Sequence, residues 1–201
     1  MAATRVYKVR FEEDLITTTV TASGADVESW LDEVLAVHRR RLHKLVVGLD
    51  VEWRPSFSRA YSKTAILQLC VGRRCLVFQI LRAGYVPIAL AEFLGDDSGY
   101  TFVGVGVEAD AQRLCDDYGL EVGHTVDLAY LAAEKMERRD LRNAGLKGIA
   151  AAVMDAHVEK PQSVRIGPWD AYDLSDEQVK YATIDAFVSF EVGRRLLNGD
   201  Y

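Results

Sequence analysis

The chain has 201 residues, 49% of them hydrophobic, enough for one substantial core, and residues 1–201 are expected to form a single domain. A net charge of −6 argues against a broad nucleic-acid coating protein, because phosphate affinity rests on Lys and Arg. No run approaches the roughly 20 apolar residues of a membrane span, and "MAATRVYKVRFEEDL" lacks a signal-peptide core, so no membrane association or secretion is expected.

In chain order, Arg5 to Phe11 and Leu15 to Thr21 read as strands joined by an acidic turn. Val27, Trp30, Leu31, Val34 and Leu35 then recur at helical spacing, with Ser23 or Asp26 as the cap, so residues 1–44 form a hairpin and helix leading into the core. Strands follow at Leu45 to Trp53, Ala65 to Val71 and Cys75 to Ile80, the last two joined by the hairpin signal "VGRR" and so antiparallel. A helix near Pro87 to Leu94, a strand Thr101 to Gly106, a helix Glu108 to Tyr118 and a short strand Val122 to Val126 come next, with helices to the end. Cys70, Cys75 and Cys115 have no metal-ligand spacing. Cys70 and Cys75 could face each other across the hairpin, but reduced thiols in a cytoplasmic or nuclear protein are the expectation.

The stretch "VVGLDVEW" delivers two carboxylates, Asp50 and Glu52, from a buried strand. Residues two apart on a strand share a face, so both aim into one space. In "YATID", Tyr181 and Asp185 stand four apart on a helical pattern, one above the other. Asp110 follows another buried strand. Each piece alone is more often a solvated acid or a packed tyrosine, but their order gives four acids that repel one another unless cations neutralise them. Oxygen-only ligands suit Mg²⁺ or Mn²⁺, and a pair of such ions is the two-metal route to phosphodiester hydrolysis. "GVGVEA" at Gly104 to Ala109 also fits a dinucleotide fingerprint, with Asp127 in the place of the ribose-binding acid. That reading leaves the D-x-E and the Y-x-x-x-D unexplained, and it ordinarily needs a parallel βαβ unit. The glycines read better as a turn that delivers Asp110 to the start of a helix. His38, His43, His124 and His157 form no ligand spacing. Basic residues cluster at Arg39 to Lys44 and Lys135 to Lys147, as a rim for substrate or as solvated faces. Trp53 reads as packing under a loop before base stacking, and the polar loop Arg54 to Lys63 is a candidate substrate contact.

From about Val46 to Leu196, "VGLDVEW", "AILQLCV", "FVGVGVEAD", "GLKGIAAAV" and "LSDEQVKYATIDAFVSFEV" resemble the tyrosine-type DEDD (DnaQ-like) 3′→5′ exonucleases of the ribonuclease-H-like superfamily. The likeness is to the Werner-type branch and, nearer still, to its small plant members, some of which are exoribonucleases that clear cleaved fragments from RNA-silencing complexes. Histidine-type relatives carry their histidine five residues before the last aspartate, where Lys180 stands here. Pro168 replaces a small polar residue common before the tryptophan at position 169. The resemblance implies a mixed α/β sheet flanked by helices and two ions, Mg²⁺ or Mn²⁺. Asp50, Glu52 and Asp185 would hold the ion that activates water, Asp50 would bridge to the second, and Asp110 would position that one through water. Tyr181 would orient the water. The implied substrate is single-stranded nucleic acid, RNA preferred, released as nucleoside 5′-monophosphates. A homo-oligomer, a hexameric ring in some plant members, and association with an Argonaute are implied too. A Werner-like DNA exonuclease and a non-catalytic nucleic-acid-binding adaptor are the alternatives.

Overall fold

The structure, a computed structural model, describes residues 3–56, 60–95 and 99–201. Its centre is a seven-stranded sheet in the order β1-β2-β5-β4-β3-β6-β7. The strands are β1 (Arg5–Phe11), β2 (Asp14–Thr21), β3 (Leu45–Glu52), β4 (Ile66–Val71), β5 (Arg74–Phe78), β6 (Tyr100–Gly104) and β7 (Thr125–Asp127). The helices are α1 (Gly24–His38), α2 (Ile88–Leu94), α3 (Val107–Tyr118), α4 (Leu128–Lys135), α5 (Leu146–Met154), α6 (Gln162–Arg165) and α7 (Asp176–Asn198). The antiparallel run β3-β4-β5 matches the hairpin expectation. The N-terminal hairpin is part of the same sheet, because β2 pairs in parallel with β5. The expected strand at Val122 to Val126 begins three residues later. Before it the chain is anchored loop, with Gly123 N–H donating to Leu94 at 2.8 Å, and pairing with β6 starts at Thr125.

Period-two alternation on β3 sorts the layers. Leu45, Val47, Leu49 and Val51 pack with α1, α2 and α3, in a cluster with Trp30, Leu90, Phe93 and Leu114. The even residues Gly48, Asp50 and Glu52 face α7. A Cβ on Gly48 would meet the Ala186 carbonyl and lie 2.7 Å from Phe190 N, so only glycine lets α7 lie this close to the strand. Helix α7 starts at a capping box, Ser175 Oγ accepting from Gln178 N–H and Gln178 Oε1 from Ser175 N–H. A cap of this kind contributes about 1 kcal/mol and fixes where the helix begins. Ser23, one of the two expected caps, starts α1 by accepting from Asp26 N–H.

Cys70 and Cys75 correct the expectation of reduced thiols. They are paired directly across β4 and β5 with Cα atoms 4.2 Å apart, and a disulfide joins them; Cys115 is free. Among the described residues no helix is long and apolar enough to cross a membrane. The mixed seven-stranded sheet with helices on both faces is the α/β architecture that the resemblance implies.

Candidate active site

Strand β3 and helix α7 bring three of the expected carboxylates together. Ligand oxygens of Asp50, Glu52 and Asp185 lie within 4.8 Å of one another. Among the described residues no histidine joins a group of this kind. Asp110, in the first turn of α3, lies outside that 4.8 Å group but close enough for its charge to bear on Asp50 and Glu52. Gly106, in the left-handed region with φ 71°, makes the turn from β6 into α3 that delivers it.

The same turn disposes of the dinucleotide fingerprint, for a reason other than topology. Strands β6 and β7 are parallel and flank α3, so the βαβ unit that fingerprint needs is present. Its ribose-binding acid is not available. Asp127 accepts from Ala129 and Tyr130 N–H through Oδ1 and from Gly106 N–H at 2.6 Å through Oδ2, so both oxygens are committed to helix caps and the turn.

Burial dominates the electrostatics. It raises Asp50 well above the usual carboxylate range, and Asp185 and Asp110 raise it further. Burial together with the Asp50 and Asp185 charges pushes Glu52 up to about 9, and burial takes Asp110 to about 7 against the opposing pull of Arg113. Asp185, 2% exposed, is also raised by burial, opposed by Lys160 and by the Tyr181 hydroxyl. Burial and the three neighbouring acids raise the Tyr181 phenol too, which favours its protonated form.

Sequence reasoning missed Lys160. Its ammonium donates to Asp185 Oδ2 at 2.5 Å and stands 5.4 Å from the Tyr181 ring centre. A cation already seated on this cluster shows what the donor set demands. Carboxylates whose ionisation burial opposes ionise together only beside positive charge, and this fits hard divalent ions.

The surrounding candidates separate. Trp53 is half-buried and covered by the Arg113 guanidinium 3.9 Å from its ring centre, which favours the packing reading. In the Arg54–Lys63 loop, residues 57–59 lie outside the described set. Arg54 pairs with Asp170 at 3.3 Å, and the Tyr61 hydroxyl donates to Asp117 on α3 at 2.8 Å, so both ends are tied down. Trp169, which follows Pro168, is 1% exposed, donates to the Arg165 carbonyl and packs at a tilt against Tyr181 with centroids 5.8 Å apart. The basic cluster Arg39 to Lys44 enters β3 at its N-terminal end. Asp50 stands six positions beyond Lys44, roughly 20 Å of strand, so this cluster is no rim for the carboxylates. In the second cluster Arg138 pairs with Asp140, and Arg142 stands 5.9 Å from the exposed Tyr130 ring centre.

A family model described as 3′-5′ exonuclease matches residues 20–199. An Arabidopsis thaliana "3'-5' exonuclease" is 34% identical over 176 residues, covering 86% of this chain and 60% of the relative. Human "Exonuclease 3'-5' domain-containing protein 2" is 32% identical over 93% of this chain and 30% of its own. The mouse "Bifunctional 3'-5' exonuclease/ATP-dependent helicase WRN" is 30% identical over 76% of this chain and 11% of its own, so the chain spans only part of each relative. Among solved structures, the EXD2 exonuclease domain soaked in Mn and Mg matches at TM-score 0.52 and 27% identity, over 90% of this chain and 88% of that one. Escherichia coli RNase D shares the fold at TM-score 0.71 and 18% identity, over 90% of this chain and 44% of that one. With a family match over residues 20–199, most of its length, this chain belongs to the 3′-5′ exonuclease family.

Proposed function

We propose that the chain is a metal-dependent 3′→5′ exonuclease acting on single-stranded nucleic acid, RNA in preference to DNA, and releasing nucleoside 5′-monophosphates. The observation that carries this is the convergence of Asp50, Glu52 and Asp185 within 4.8 Å in a buried setting. Asp50, Glu52 and Asp185 would hold the ion beside the attacking water. Asp50 would also reach the second ion, with Asp110 supporting it from α3. Bound Mg²⁺ or Mn²⁺ would supply a water of lowered pKa and charge neutralisation at the scissile phosphate. The protonated Tyr181 hydroxyl would orient that water, and the Trp169 and Lys160 contacts hold its ring in place. That the EXD2 domain was soaked in Mn and Mg supports the choice of ions.

The RNA preference, and a role in clearing fragments of small-RNA-guided cleavage, rest on the likeness of the motif segments to the small plant group. The similarity to WRN favours a second reading, a Werner-like DNA exonuclease. Matched end-labelled RNA and DNA oligonucleotides incubated with Mg²⁺ or Mn²⁺ test both. We expect stepwise shortening from the 3′ end, faster on RNA, and none in EDTA or with Asp50→Ala. Faster loss of DNA would select the Werner-like reading. Full activity in EDTA, or in a folded Asp50→Ala protein, would remove the mechanism.

A further inference from the structure

Gln68 sits in the middle of β4, is 0% exposed, and has no hydrogen-bond partner for either its amide nitrogen or its amide oxygen. A buried amide with both groups unpaired is costly, and native cores rarely keep one without a use for it. Its position supplies the use. In the antiparallel register Gln68 is directly opposite Asp50, and directly opposed residues share a face with Cβ atoms about 4.5–5.5 Å apart. That face is the one under α7. The next pair along is Gly48 and Cys70, and a Cβ on Gly48 would meet Ala186. On its other side Gln68 is opposed by Val77, and its same-face neighbours on β4 are Ile66 and Cys70. Ile66 and Val77 pack with Ala182 of α7 in an apolar cluster. Asp50 is therefore the directly opposed residue that can accept a hydrogen bond. Asp50 takes the Val51 N–H at 2.9 Å through Oδ1, which leaves its second oxygen for another donor.

We propose that Gln68 is a positioning residue for the ion site: when ions are bound, its side-chain amide donates to Asp50 and fixes the pose of that carboxylate. The proposal rests on the reading of Asp50 as an ion ligand. A residue behind a ligand sets ion affinity without touching ion or substrate, and loss of such support typically weakens binding about 10- to 100-fold. Methionine keeps the length and volume of Gln68 but cannot hydrogen-bond. A packing residue and a positioning residue therefore respond differently to Gln68→Met.

The test uses the whole chain and two measurements that need no turnover: the melting midpoint in EDTA, and Mn²⁺ binding by calorimetry. For Gln68→Met we expect an EDTA midpoint at or above that of the unsubstituted protein, since an unpaired amide has been removed. We also expect Mn²⁺ affinity weaker by about 10-fold or more. Mn²⁺ affinity unchanged in a folded Gln68→Met protein would overturn the proposal. Failure of the unsubstituted protein to bind Mn²⁺ would instead remove the ion-site reading, and the proposal with it. If Gln68→Met does not fold, the decision passes to NMR of unsubstituted protein with ¹⁵N-labelled glutamine side chains, titrated with Mg²⁺. The Gln68 amide pair should shift and exchange more slowly with water as the site fills, and an unmoved pair would overturn the proposal.

Discussion

At the scale of single residues, Lys160 and the carboxylates around it set the behaviour of the ion-free protein. The lysine relieves a cluster that cannot ionise freely, yet it occupies an oxygen of Asp185 that an ion would use. Lys160→Met should lower ion-free stability by about 1–2 kcal/mol, less than for a wholly buried pair because the lysine is partly exposed. It should also enlarge the rise in melting midpoint on adding Mn²⁺. Thermal melts in EDTA and in Mn²⁺ measure both, and an equal rise in the two proteins would mean that the lysine does not compete. Glu52 gives a pH dependence of definite sign. Its folded value, about 9, lies above the 4.5 of the unfolded chain, so between these the unfolded state ionises first and is favoured. Ion-free melting midpoints should therefore fall as pH rises from about 4.5 to about 9, and saturating Mg²⁺ should flatten that fall. Asp50, Glu52, Tyr181 and Asp185 were legible in the sequence because strand and helix periods place them on common faces. Lys160 was not, since it lies 25 residues from Asp185 in an irregular segment with no period to read. Gln68 becomes visible only once the register across β3 and β4 is known.

At the scale of elements, Gly48 carries the joint between β3 and α7. Gly48→Ala would drive a methyl into the backbone of α7, which cannot swing aside as a side chain can. A cost of about 3 kcal/mol is expected, with loss of nuclease activity even where the protein stays folded, because Asp185 moves away from Asp50. Chemical denaturation and the oligonucleotide assay report the two effects, and an active, equally stable variant would show that the joint has slack. The element order and most boundaries were legible for the same reason as the site: apolar residues at period two or 3.6, ended by Ser, Gly or Pro. Charge was less informative. A basic run reads the same whether it flanks the active end of a strand or the far end, and Arg39 to Lys44 proved to be at the far end of β3. Arg39→Ala with Arg40→Ala should therefore leave KM for a short oligonucleotide unchanged, and a raised KM would mean that substrate wraps around the sheet edge. The disulfide was equally hidden, because facing thiols can be read from hairpin register but not their oxidation.

At the scale of the molecule, β1 is an outer strand of the sheet and Val6 on it is 64% exposed. An exposed edge of this kind is readily covered by a second copy, and closed symmetry would prevent filament growth. Light scattering that gives a multiple of the chain mass would support the homo-oligomer that the sequence resemblance implies, and a single-chain mass across micromolar concentrations would remove it. Helix α7 has a different consequence. It packs on β1 through β6, so the segment that supplies Tyr181 and Asp185 also clamps most of the sheet. A site built there has no local way to come apart. Amide protons of Tyr181 and Asp185 should exchange with deuterium only when the whole molecule opens, at the rate of the slowest amides of β3 and β4. Ion binding would then slow the exchange of that entire set together, and the nuclease would lose its site and its fold in one event.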